Sequence, residues 1–182
     1  LLFLMETVFA ALPEDAHLLC VGAGTGAEIG HLARRFPRWT FVALDPSTQM
    51  IAACRERAER EGFADRCDFH ADVVDTLPDA AAFDGATCLL VSQFLLDPAV
   101  RTAFFASIAC RLHPGGTLAW ADLAWDTDAA DYPAMLKLWM ETRSRGCRSA
   151  ISAPMPSWNR SCSARRACNC ADERPMLPGI RM

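Results

Sequence analysis

The sequence has no apolar run long enough to cross a membrane. Its opening stretch, Leu1-Leu2-Phe3-Leu4-Met5, is far too short, and no basic flank precedes it as in a secretion signal. No membrane association is therefore expected, and a reducing cytoplasmic setting is. Metal-knuckle spacing is also missing from the nine cysteines. Cys168-Asn169-Cys170 leaves one intervening residue instead of two, and no histidine follows His113, which argues against a zinc site. Cys20, Cys54, Cys67, Cys88 and Cys110 lie in apolar or amphipathic stretches, where the thiol acts as a small hydrophobe. A basic excess is lacking as well: residues 1–140 carry 10 Lys and Arg against 19 Asp and Glu. Such a body leaves no electrostatic footprint for nucleic acid, although a local basic groove stays open.

What is present fits one domain with a sizeable core, at 182 residues and 52% hydrophobic. The chain is organised around Leu18-Leu19-Cys20-Val21-Gly22-Ala23-Gly24-Thr25-Gly26. Four apolar residues suit a parallel strand covered on both faces. The glycines then turn the chain sharply, and Ala27 to Phe36 carries apolar residues at helical spacing. Strand, glycine turn and helix start form a site for an anionic or polar ligand, because glycines admit close approach and free amides point at it.

Strands are expected at Thr40–Leu44, Arg66–His70, Phe83–Val91 and Thr117–Leu123, the last after a tight turn at Pro114-Gly115-Gly116. Between them fall a helix capped by Ser47 and ended by Gly62, and a second from Pro98 to Leu112. An opening helix with Leu4, Val8, Ala11 and Leu12 on one face, and another over 131–140, complete the pattern. Alternation of this kind predicts an α/β fold of three layers, with about five parallel strands. The ligand crevice then lies beyond the C-terminal ends of the first and fourth strands. Residues 1–140 form the domain. Residues 141–182 hold 8 arginines against 3 acids with no periodicity, and are expected to be a disordered or frame-altered tail. Starting with Leu, the chain is expected to lack its true N-terminus.

Asp45 lies 19 residues past Gly26, where a carboxylate can accept from both hydroxyls of a ribose. Gly22-x-Gly24-x-x-Ala27 also passes as a dinucleotide fingerprint, so an NAD(P)-binding oxidoreductase remains an alternative.

Val21 to Glu28, Ala43-Leu44-Asp45-Pro46-Ser47 with Met50, His70-Ala71-Asp72-Val73, Phe83 to Leu90 and Leu112 to Leu118 follow in order. Together they resemble the motifs of the class I S-adenosylmethionine-dependent methyltransferases, over roughly residues 1–140. Val91-Ser92-Gln93-Phe94-Leu95 is weakly similar to a branch acting on the tRNA wobble uridine. The resemblance implies a Rossmann-like sheet with S-adenosylmethionine as cofactor. Gly22, Ala23, Gly24 and Gly26 would lie against its methionine part and Asp45 would hold the ribose. Pro46, Met50, Asp72 and Val73 would surround the adenine, while Cys88 and Leu89 would lie beside the sulfonium.

Methyl transfer needs alignment above all, and a base only if the acceptor loses a proton. Gln93 and Asp122 are the candidates. His70 fits a structural strand-end role better, and His113 lies on the wrong side. The acceptor, a small molecule or a tRNA nucleoside, is not legible. Family members finish the sheet with a further helix and two strands, which have no counterpart here. An uncovered fifth-strand edge is thus expected, with self-association through it. A non-catalytic cofactor-binding remnant is the second alternative.

Overall fold

Leu18, Leu19, Cys20 and Val21 are all fully buried, as an apolar run covered on both faces requires. They make β1 (His17–Val21) the central strand of a sheet ordered β3-β2-β1-β4-β5. Its neighbours are β2 (Thr40–Leu44), β3 (Cys67–His70), β4 (Phe83–Leu89) and β5 (Leu112–Ala121), and every pairing is parallel. The helices are α1 (Leu2–Val8), α2 (Ala27–Arg35), α3 (Thr48–Glu61), α4 (Pro98–Ala109) and α5 (Tyr132–Ser144). This computed structural model describes residues 1–80, 82–123 and 129–144. The expectations for the tail beyond 144 lie outside the described residues.

Strand periodicity sorts the core into two halves. Leu18, Cys20, Phe41 and Ala43 face α1, α2 and α3, meeting Phe9, Ile29, Leu32, Cys54 and Ala58. Leu19, Val21, Val42 and Leu44 face the other way and pack with Phe104 and Ile108 of α4. The result is the expected three-layer α/β architecture. α3 keeps both its predicted ends: the Ser47 side chain accepts from the Met50 amide, and Gly62 closes the helix at φ 76°.

Two expectations need correction. α1 stops at Val8 and buries Met5 and Phe9, whereas Leu4 and Val8 are 65% and 48% exposed. Its apolar residues are numerous enough to draw more than one stripe, and packing selects the one facing Trp39, whose ring meets Phe9 edge-on at 6.2 Å. The Pro114-Gly115-Gly116 turn is instead an irregularity within β5. Leu112 pairs with Phe83 and Thr117 with Gly85, so extra residues bulge out, with Gly115 at φ 86°. Among the described residues β5 is a sheet edge, and no helix is long and apolar enough to cross a membrane.

Candidate cofactor and acceptor site

The crevice forms where strand order reverses, between β1 and β4. β1 ends in a turn whose Gly22, Gly24 and Gly26 have φ of 70°, 52° and 72°, the left-handed region that glycine enters freely. Two of these glycines are also demanded by space. A Cβ on Gly22 would lie 2.2 Å from the Val91 side chain, and one on Gly26 would lie 2.5 Å from Cys54 Sγ. At Gly24 a Cβ would meet only the Gly22 carbonyl, at 4.0 Å. Gly24 is therefore where the turn stays open to a ligand.

The turn's amides are more occupied than the sequence suggests. Gly22 and Ala23 donate to the Leu44 carbonyl at 2.7 and 3.0 Å, and Gly26 donates to Ala23 O at 2.8 Å. Gly24 donates to Asp45 Oδ2 at 3.0 Å. The expected ring of free amides is thus largely closed, and the turn is fastened to the end of β2.

Asp45 is 7% exposed. Its Oδ1 accepts from the Ser47 amide at 2.9 Å. Burial raises the affinity of this carboxyl for a proton, and the amides of Ser47 and Gly24 oppose the shift only in part. A carboxylate oxygen has two lone pairs, so each retains capacity for a ligand hydroxyl. Pro46 and Met50 sit half-buried beside it. Asp72 is exposed and receives the Val73 amide at 2.8 Å. Behind it, Val74–Thr76 forms a single 3-10 turn. The Cys88 side chain is fully buried in the core and its thiol is pushed up to about 12, whereas Leu89 is half-buried.

The far wall comes from the ends of β4 and β5. Leu90 holds φ 60°, a conformation that costs a branched side chain about 1–2 kcal/mol. Its amide reaches Ala121 O at 2.7 Å, and the bend lays Val91 over Gly22. Ser92, fully buried, donates through its hydroxyl to Asp122 Oδ2. The Trp120 indole donates to Ser92 Oγ at 3.1 Å and to Asp122 Oδ2 at 3.0 Å. Asp122 Oδ1 is buried and, among the described residues, has no hydrogen-bond partner. Gln93 Oε1 accepts from the Leu123 amide at 2.9 Å, fixing the chain just past Asp122. Both candidates therefore lie on this wall, Gln93 as a clamp and Asp122 with a free oxygen. His70 is exposed, with its carbonyl accepting from the Asp45 amide at 3.2 Å, and His113 is exposed on the β5 bulge.

Three residues escaped the sequence reading. Ser92 and Leu90 carry no local signal, since one depends on β5 and the other on a backbone angle. Glu28 did have one: it is an acid in the first turn of α2, immediately after the glycines, yet it is 8% exposed.

A methyltransferase-domain family model matches residues 18–116. Over 117 residues the chain is 40% identical to erythromycin 3''-O-methyltransferase of Saccharopolyspora erythraea, covering 63% of this chain and 37% of that protein. It is 34% identical over 125 residues to the O-methyltransferase cnsE of Penicillium expansum, covering 68% and 44%. Among solved structures it is similar to S-adenosylmethionine-bound CalS10, an amino pentose methyltransferase from Micromonospora echinaspora. That match has 31% identity and a TM-score of 0.57, over 68% of this chain and 49% of that one. The chain thus spans less than half the length of each of these relatives. The family match over residues 18–116, together with these relatives, shows that this chain belongs to the class I S-adenosylmethionine-dependent methyltransferase family.

Proposed function

We propose that the chain transfers a methyl group to an oxygen of a small-molecule acceptor, with Asp122 as the proton acceptor. The observation that carries this reading is the orphaned Oδ1 of Asp122, held in place through its other oxygen by Ser92 and Trp120. A buried carboxylate oxygen without a donor is costly, and an acceptor hydroxyl would supply one. The matched relatives named as O-methyltransferases support oxygen as the acceptor atom.

The residues fit the cofactor. Open space at Gly24 admits its methionine part, and Asp45 keeps lone pairs for the ribose hydroxyls. Pro46, Met50, Asp72 and Val73 would bound the adenine. When bound, S-adenosylmethionine supplies a methyl group already activated on a sulfonium. The protein's share is then alignment, exclusion of water and removal of one proton. Asp122 Oδ1 takes the proton that the hydroxyl releases, and Gln93 keeps the segment past Asp122 in register.

The test is Asp122→Asn with labelled cofactor and a panel of hydroxylated small molecules, tRNA and NAD-linked substrates. Loss of about 100-fold in turnover is expected, the usual scale for a general base, with affinity for S-adenosylhomocysteine unchanged. Undiminished turnover in the variant would remove Asp122 from the chemistry. Label entering only tRNA, or tight binding of NAD alone, would overturn the wider reading.

A further inference from the structure

Leu90 to Gln93 join the two sides of the crevice. Three of these residues bond the end of β5 and the segment after it. The Leu90 amide donates to Ala121 O at 2.7 Å, and the Ser92 hydroxyl donates to Asp122 Oδ2. Gln93 Oε1 accepts from the Leu123 amide at 2.9 Å. Val91 stands out of this row. Its side chain turns to the glycine turn, where Cγ2 lies 2.2 Å from the place a Cβ on Gly22 would take. The left-handed angle at Leu90, φ 60°, bends the chain so that neighbouring residues serve opposite walls. Val91 and Ser92 are both buried, and Leu95 seats the segment in the core with Phe104 and Ile108 of α4. On the other side, the Gly22 amide is tied to Leu44 O at 2.7 Å. Between the donor turn and Asp122 there is thus one apolar side chain, one peptide bond and one hydroxyl.

We infer that Val91 is a positioning residue for methyl transfer, its side chain being the spacer that sets how far Asp122 stands from the donor turn. The inference rests on the cofactor and proton-acceptor readings above. Transfer requires the donor carbon, the acceptor oxygen and the base to be aligned together, and a misplacement of about 1 Å costs about 100-fold in rate. A close-packed interior transmits such a displacement instead of absorbing it. Shortening Val91 removes the two methyl groups that separate Gly22 from the backbone leading to Ser92. Asp122 then follows Ser92 through the bond between them.

The experiment uses the full chain, Val91→Ala, and Val91→Thr, which keeps the shape but buries a hydroxyl. The Trp120 indole donates to Ser92 Oγ and to Asp122 Oδ2, so its Nε1–H resonance reports where the acid stands without any acceptor present. Trp120→Phe assigns that resonance. Val91→Ala is expected to displace it and to lower kcat by about 30-fold or more, with affinity for S-adenosylhomocysteine changed less than about fivefold. Turnover is read as label passing from S-adenosylmethionine to the best acceptor of the hydroxylated panel. In an Asp122→Asn background Val91→Ala should cost less than about threefold more, because both changes act on one group. Val91→Thr should melt lower yet keep the resonance in place and turnover within about twofold, since the spacer is intact. Should Val91→Ala not fold, Val91→Ile, which presses one more methyl group toward Gly22, must displace the resonance and slow turnover instead. Turnover that tracks melting temperature across the variants, an unmoved resonance, or fully additive losses would overturn the assignment. Undiminished turnover in Asp122→Asn alone would instead bring down the proton-acceptor reading, and this inference with it.

Discussion

The amide of Gly24 and the carboxylate of Asp45 are 3.0 Å apart, though 21 residues separate them in the chain. One hydrogen bond thus fixes the glycine turn of β1 to the acid that ends β2. Whatever occupies the crevice meets these two elements as a single preset surface.

Asp45→Ala should act on binding and stability together. Losing a charge-assisted contact to ribose hydroxyls weakens S-adenosylhomocysteine by about 1–3 kcal/mol, or roughly tenfold to a hundredfold. The amides of Gly24 and Ser47 also lose their acceptor, so the melting temperature of the free protein should fall. Calorimetry and thermal unfolding measure the two effects separately, and unaltered affinity would place Asp45 outside the site.

Glycine replacements should rank by their surroundings. Gly22→Ala sets a methyl 2.2 Å from Val91 at φ 70°, and is expected to cost about 3 kcal/mol through overlap and strain. Gly62→Ala has the same kind of angle, φ 76°, but meets nothing within 4 Å. It should cost about 1 kcal/mol. Urea unfolding of the two variants checks the order.

These predictions separate what was readable in the sequence from what was not. Leu18–Gly26, Asp45, Ser47 and Gly62 could be read because strand burial, turn chemistry and helix caps are local properties. The β5 bulge could not, since it depends on register against Phe83 and Gly85. Leu90 looked like one more strand residue, yet it turns the chain through a left-handed angle that only the β4–β5 contact enforces. The α1 stripe differs for a related reason: several of its faces are apolar, and Met5 and Phe9 are the residues buried fully in the core.

Stability of the free protein should fall as pH rises. The Glu28 carboxyl sits near 7 when folded and at its ordinary 4.5 when unfolded. The folded state therefore binds the extra proton between these values, and its advantage, up to about 3 kcal/mol, is complete below 4.5 and lost through 7. Asp45 is displaced in the same direction and adds to the slope at lower pH. Urea midpoints between pH 4.5 and pH 8 should show the decline, and Glu28→Gln should flatten its upper part.

Arg111 is 1% exposed and braces the connection between β3 and β4. Its guanidinium donates to Leu77 O at 2.6 Å, Asp79 Oδ1 at 2.9 Å and Ser107 O at 2.7 Å. Ser107 in turn donates to Asp75, three residues past Asp72. Arg111→Met removes the donor to the Leu77 and Ser107 carbonyls, while the exposed Asp79 stays in water, and should lower stability by about 3 kcal/mol. Arg111→Lys keeps the charge but not the planar fork, and should fall between. Thermal unfolding of the three proteins tests the ranking.

The seam between β1 and β4 divides labour as well as topology. The residues proposed to hold the nucleoside follow β1, β2 and β3, while the groups proposed to face the second reactant follow β4 and β5. Mutations on the latter side beyond Val91, which packs over Gly22, are expected to retune which molecule is modified and leave the grip on the donor in place. One half of the sheet can thus stay constant while the other explores.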